Sequence, residues 1–204
     1  MQSARLVPLA VALVLLGLTG CSTIRLTEPG QTATEQLLIS TAVDQAVGRL
    51  DAAIPAGTKL FIDAQYVDAA PGDAALYTKY VVASVRDRLL RQGALLVDDR
   101  KAADMVAELR TGGQSIDHDD FLIGLPAIPI PIPLTGVVTT PKVPLYENDT
   151  QTGIAKLAIT AYGKDGALTA STGPVYGESN LTHRVLLLFI SWTNQDLLPE
   201  ALRK

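Results

Sequence analysis

The chain has 204 residues, 48% of them hydrophobic and 19% charged, with a formal net charge of -4 at neutral pH. That length suits one domain with one core, and a mildly acidic balance gives no attraction to phosphates, so no nucleic-acid partner is expected. Its single cysteine leaves no disulfide to staple the fold, so stability has to come from packing.

The first twenty residues divide into a polar start with Arg5, an apolar run from Leu6 to Leu18, and the small residues Thr19 and Gly20. This is the three-part order of a secretory signal peptide, and its apolar run is shorter than the roughly 20 residues that a membrane-crossing helix needs. Leu18-Thr19-Gly20-Cys21 resembles the bacterial lipobox, in which a small residue precedes a cysteine whose thiol takes a diacylglycerol. The resemblance implies that Cys21 becomes the first mature residue, with a thioether-linked lipid and an acylated amine. Burial yields about 0.8 kcal/mol per methylene, so two or three acyl chains hold a protein on a bilayer where one does not. Ser22 after the cysteine is similar to the pattern of outer-membrane lipoproteins. Residues 21–33 carry Thr, Glu, Pro and Gly without apolar periodicity and read as a flexible tether.

A single α+β domain is expected over residues 34–200. Thr34 is placed as the N-cap of a helix running to Ala53, with Ile39, Val43, Ala46, Val47, Leu50 and Ile54 as its apolar stripe. Pro55 and Gly57 stop it. Thr58 to Tyr66 alternates as a half-buried strand, with Lys59, Asp63 and Gln65 on its wet side, and Ala69 to Asp73 is a turn. A second helix follows, its stripe marked by Leu76, Tyr80, Val81, Val85, Leu89 and Leu90, and Gly93 is its left-handed cap. Short strands are expected at Ala94 to Val97 and Met105 to Arg110, separated by the charged turn Asp98-Asp99-Arg100-Lys101.

The run from Arg91 to Arg110 resembles a unit of several bacterial lipoproteins: a helix ends at a glycine, a strand follows, an Ala-Asp pair ends the next turn, and another strand follows. With Thr34-Glu-Gln-Leu-Leu-Ile-Ser40 and a downstream proline run, the chain resembles an uncharacterised lipoprotein family, a domain of unknown function. The resemblance implies fold and location and carries no activity.

Residues 117–145 break the pattern as a proline-rich apolar arm. No charge occurs from Phe121 until Lys142, and prolines at 126, 129, 131 and 133 favour a polyproline-like conformation and exclude a helix or a central strand. One reading packs this arm across its own sheet. The other leaves it exposed for a partner, a second copy or the bilayer, with Phe121, Leu122, Ile123, Leu125, Ile128, Ile130, Ile132 and Leu134 as contacts.

Thr152 to Tyr162 alternates as a strand, Gly163-Lys164-Asp165-Gly166 is a turn, and Ala167 to Thr172 returns as its hairpin partner. Val185 to Ile190 is apolar on both faces, as for a fully buried strand, and Asn194 to Leu198 forms a terminal helical turn. Trp192 and Tyr176 are assigned to the core by base rate. The expected architecture is α+β: a two-layer α/β sandwich with a mixed, largely antiparallel sheet, two main helices on one face and the proline-rich arm.

Asp117, His118, Asp119 and Asp120 combine an imidazole with three carboxylates, but neighbours in an extended chain point to alternate sides and a second imidazole would have to come from His183. A solvated acidic loop is the simpler reading, and no metal or cofactor is assigned. No G-x-S-x-G elbow occurs, no cysteine is free for nucleophilic work, and Gly112-Gly113 lacks the phosphate-loop pattern. The expectation is a non-enzymatic lipoprotein at the periplasmic face of the outer membrane, acting in envelope structure through protein contacts. An oligomeric secretion or surface-exclusion lipoprotein is the alternative, and a metal-dependent hydrolase ranks last.

Overall fold

The computed structural model describes residues 31–67, 74–132 and 136–197. The signal peptide, Cys21, the tether up to Gly30, the turn at 69–73, Leu134 and the residues beyond Leu197 lie outside the described residues.

Helix α1 spans Ala33–Gly48 and starts two residues earlier than Thr34 would place it. Thr32 is the N-cap: Glu35 N donates to Thr32 Oγ1 at 3.3 Å, and Thr32 N donates to Glu35 Oε2 at 2.6 Å. This reciprocal capping box satisfies two free helix donors, and the backbone bond from Thr32 holds the Glu35 carboxyl below its ordinary pKa. That contribution to stability is present above the unfolded carboxyl pKa and is lost as pH falls through the lowered one. The stripe Ile39, Val43, Ala46, Val47, Leu50 and Ile54 is buried throughout, although Leu50 and Ile54 lie beyond the helix. The helix ends early because Asp51 Oδ1 accepts the Ala53 backbone N–H at 3.2 Å, offering the chain a local alternative to helix.

Strand β1 (Lys59–Tyr66) leads through helix α2 (Ala74–Arg91) to the short strand β2 (Leu95–Leu96), which pairs with β1 in parallel. Gly93 has φ 95°, the left-handed cap expected after α2. A 3-10 turn at Arg100–Ala102 precedes strand β3 (Met105–Leu125), also parallel to β1. Next come β4 (Pro129–Ile132), β5 (Gly136–Thr139), β6 (Val143–Gly163), β7 (Leu168–Ser171), β8 (Val175–Leu186) and β9 (Ile190–Gln195). Among the described residues the main sheet has seven strands in the order β2-β1-β3-β6-β8-β9, with β7 also paired to β6. The pairings β3–β6, β6–β8, β6–β7 and β8–β9 are antiparallel, so the sheet is mixed and the fold is α+β. The hairpin expected after Gly166 is present, with Thr160 opposite Ser171.

Strands β3 and β6 differ most from expectation. Each runs 21 residues, and their pairing continues from Met105 opposite Gly163 to Leu125 opposite Val143. The supposed acidic loop at 117–120 is therefore strand, and Gly112-Gly113 marks a register shift. Backbone pairing does not depend on polarity, so a strand with both faces in water shows no alternation to read.

One buried cluster joins α1 (Ile39, Val43, Ala46), α2 (Val81, Val85, Leu89) and the sheet (Leu60, Leu109, Leu157, Ile159). Helix α1 sits unusually close to β6 and β8. A Cβ on Gly177 would lie 1.8 Å from the Ala42 carbonyl oxygen, and one on Gly153 would lie 2.5 Å from that of Leu38. Ser179 then donates its hydroxyl to the Leu38 carbonyl at 2.6 Å from a fully buried position.

Asp63, expected on the wet side of β1, is 8% exposed and pairs with Arg100 Nη1 at 2.9 Å. Arg100 also donates to the Tyr162 hydroxyl, which ties the charged turn to the sheet. The Tyr162 phenol is pushed above its ordinary pKa by desolvation and then by Glu108.

A helix-facing glycine and a helix-end glycine should respond oppositely to a methyl group. Gly177→Ala is expected to lower unfolding free energy by about 2–3 kcal/mol. Nothing lies within 4 Å of a Cβ on Gly48, so Gly48→Ala is expected to raise it by about 0.5–1 kcal/mol. Urea midpoints of the two variants against the parent check both signs.

Candidate functional site

Beyond the row Ile116–Gly153–Ser179 the sheet continues toward the distal ends of β3, β6, β8 and β9 as a four-stranded blade. Partners across a sheet share a face, so the register gives the chemistry of each row. Nearest the core the rows are polar. Asp119, Thr150, Thr182 and Asn194 form one, and Asp120, Asp149, His183 and Thr193 form the next on the other face. Side chains bond across the ladder, with Thr150 Oγ1 3.3 Å from Thr182 Oγ1 and His183 Nδ1 3.0 Å from Thr193 Oγ1.

The acidic segment divides as an extended chain requires. His118 and Asp120 share a face with Asp149 and His183, while Asp117 and Asp119 are on the opposite face. His118 Nε2 stands 3.6 Å from Asp149 Oδ1, and Asp120 is drawn to Lys142 at 3.3 Å. Among the described residues no three His, Cys, Asp or Glu side chains are placed to hold a metal ion.

Farther out the chemistry changes. The row Ile123–Tyr146–Leu186–Ile190 is wholly apolar or aromatic, and the row before it on the same face is Phe121–Asn148–Arg184–Trp192. Phe121 and Tyr146 rings lie 6.2 Å apart at a 60° tilt. Arg184 donates to Asn148 at 2.9 Å, and Lys142 pairs with Glu147. The hydrogen bond from Lys142 to Glu147 holds the ammonium above its ordinary pKa, so it stays charged through the neutral range.

The proline-rich arm is not packed across its own sheet. Phe121, Ile123, Leu125, Ile128, Ile130 and Ile132 are exposed, Leu125 by 64%. Nor is it polyproline-like throughout, because Pro129–Ile132 pairs with Gly136–Thr139 as a second, two-stranded sheet. The prolines tolerate this because 129 and 131 alternate with Ile130 and Ile132, whose N–H groups can face β5, and Ile128 continues the pairing with Thr140. Leu122 lies on the opposite face with Glu147 and Val185.

Val185 to Ile190 is not a buried strand either. It holds the end of β8, the turn and the first residue of β9: Leu187, Leu188 and Phe189 form the loop, and Phe189 is 79% exposed. Leu187 and Leu188 have φ 50° and 70°, the left-handed region usually given to Gly or Asn in a tight hairpin. Their backbone N–H groups donate to Leu145 and Pro144, so the loop is fastened to the end of β6. Trp192 and Tyr176 are exposed rather than core, Tyr176 lying under the Lys156 ammonium at 5.4 Å. The terminal residues continue β9 to Gln195 instead of forming a helical turn.

The sequence reading missed Tyr146 and the 187–189 loop as part of this end. A usable signal was present: the charge-free stretches 121–141 and 185–195 are each bordered by a cation on one side, Lys142 and Arg184, and by an aspartate on the other, Asp120 and Asp196.

A profile of a family of unknown function, DUF6655, matches residues 15–179. The chain belongs to that family. The family contributes no activity, and a comparison with curated proteins finds no match. Among the described residues no helix is long and apolar enough to cross a membrane, which leaves strands unaddressed.

Left-handed leucines carry conformational strain of about 1 kcal/mol or more each. Replacing Leu187 by Asn and Leu188 by Gly is therefore expected to raise unfolding free energy by about 1–2 kcal/mol, read as a higher thermal midpoint. Unchanged or lower stability would show that the leucines contribute packing the exposed loop does not reveal.

Proposed function

We propose that this is a lipid-anchored envelope protein, held through Cys21 at the periplasmic face of the outer membrane, with an interaction role and no catalysis. The observation that carries the reading is Leu18-Thr19-Gly20-Cys21 behind an apolar run too short to span a bilayer. Ser22 supports the outer-membrane assignment. The exposed apolar end of the blade supports a contact role, since a patch of this kind on a soluble surface marks a place of interaction. The polar clusters support it from the other side. Arg100 is engaged with Asp63 and Tyr162, and Lys142 with Glu147 and Asp120. Except for the local pair of Lys142 with Glu147, these pairings join one part of the fold to another.

The anchor is tested by intact mass and by membrane extraction. The native chain is expected to carry acyl mass on a new N-terminal Cys21 and to stay with membranes in alkaline carbonate. A chain starting at residue 21 with Cys21→Ala, exported behind a conventional signal sequence, is expected to be released by the same wash. Retention of that variant, or an unmodified Cys21 in the native chain, overturns the anchor.

A further inference from the structure

We infer that the distal end of the blade is a bilayer-insertion surface: the Leu187–Phe189 loop and the proline-bearing β4–β5 hairpin enter the membrane that carries the anchor. The inference rests in part on the proposed acylation of Cys21 and adds a second, protein-made contact with the same lipid.

Four observations point to lipid rather than to a protein surface. First, segments far apart in sequence, Phe121–Leu125 and 185–195, reach the same end of the main sheet, and the separate two-stranded sheet of β4 and β5 follows directly from the first of them. Second, the chemistry is layered along the strands. Apolar loops lie outermost, the aromatics Phe121, Tyr146 and Trp192 come next, and Arg184 stands in the row of Phe121 and Trp192, while Lys142 is taken up by Asp120 and Glu147. Aromatic rings at the headgroup level with the Arg184 guanidinium beside them match the interface of a bilayer, whose anionic headgroups attract a cation. Third, Leu187 and Leu188 hold a left-handed turn that Asn-Gly would form with less strain, so the apolar side chains are kept against local preference.

Fourth, the anchor can reach. Helix α1 runs alongside β8 with its N-terminus toward the blade's distal end, because Arg49 bonds to Tyr176 while Leu38 bonds to Ser179. The helix start lies about 9 Å beyond Leu38 in that direction. The Leu187 loop lies about 26 Å beyond Ser179. About 17 Å therefore separates the helix start from the loop along the blade, and the ten residues from Cys21 to Gln31 can span up to about 35 Å. A lipid on Cys21 and the inserted loops can occupy one bilayer together.

The test uses the full acylated chain with a single added thiol, Leu188→Cys, Ile130→Cys or, as control, Asp98→Cys, whose native side chain is 96% exposed. Each is labelled with an environment-sensitive dye and reconstituted into phosphatidylethanolamine–phosphatidylglycerol vesicles. Dyes at 188 and 130 are expected to shift to the blue, to gain intensity severalfold and to be quenched by nitroxides on lipid acyl chains, while the dye at 98 stays in water. Intact mass reads acylation separately. Dyes at 188 and 130 that remain open to aqueous iodide in an acylated chain overturn insertion and leave the anchor standing. A blue shift without nitroxide quenching, accompanied by a doubled particle mass, overturns insertion in favour of a second copy of the chain. Nitroxide quenching in a chain whose Cys21 is unmodified supports insertion and overturns the anchor, and Cys21→Ser then leaves the added thiol as the labelled one.

Discussion

The seat of α1 on β6 and β8 is the constraint on which the rest depends. Gly153 and Gly177 leave no room for a side chain, the helix backbone approaches to where a Cβ would stand, and Ser179 closes the contact by donating to Leu38. A helix this close covers the sheet with small residues such as Ala42 and Ala46, while larger side chains of the helix reach the cluster shared with α2. The same contact fixes the direction in which the helix points and the row at which its cover ends. Everything distal to that row has water on both faces unless something else covers it.

The blade is therefore stabilised by different means from the core. Near the helix, burial of apolar area dominates. Farther out, ladder hydrogen bonds, threonine pairs and ion pairs such as Lys142 with Asp120 hold the strands, each contributing modestly in water. At the far end even these give way to apolar rows that no described element covers. This gradient from core to polar span to apolar end follows three kinds of sequence on the same four strands.

The sequence was legible where burial imposes a period. The stripe of α1, the Val81, Val85 and Leu89 part of the α2 stripe, the strand β1, the cap at Gly93 and the hairpin after Gly166 all depend on one face being buried or on a residue-specific turn, whereas Tyr80 and Leu90, expected in the α2 stripe, and Tyr66 at the end of β1 are exposed. It was illegible where no face is buried. Asp117 to Asp120 read as a loop because both sides of the strand are polar, and Asp63 read as wet because hydropathy carries no record of Arg100 waiting across the sheet. Val185 to Ile190 failed for the opposite reason. A continuous apolar run expresses a preference to leave water, and the same preference serves a buried strand or an exposed loop that meets something apolar.

The uninterrupted length of β6 has one more consequence. From Gly153, under the helix, to Tyr146, in the apolar row, the strand covers seven residues, or about 23 Å at ordinary strand rise. Its polar side chains suit that span to water. A paired strand of this kind cannot shorten, so it fixes a least separation between its two ends. On the proposed insertion, the helix-bearing body would stand no closer to the bilayer than the length of this paired strand, as on a short post.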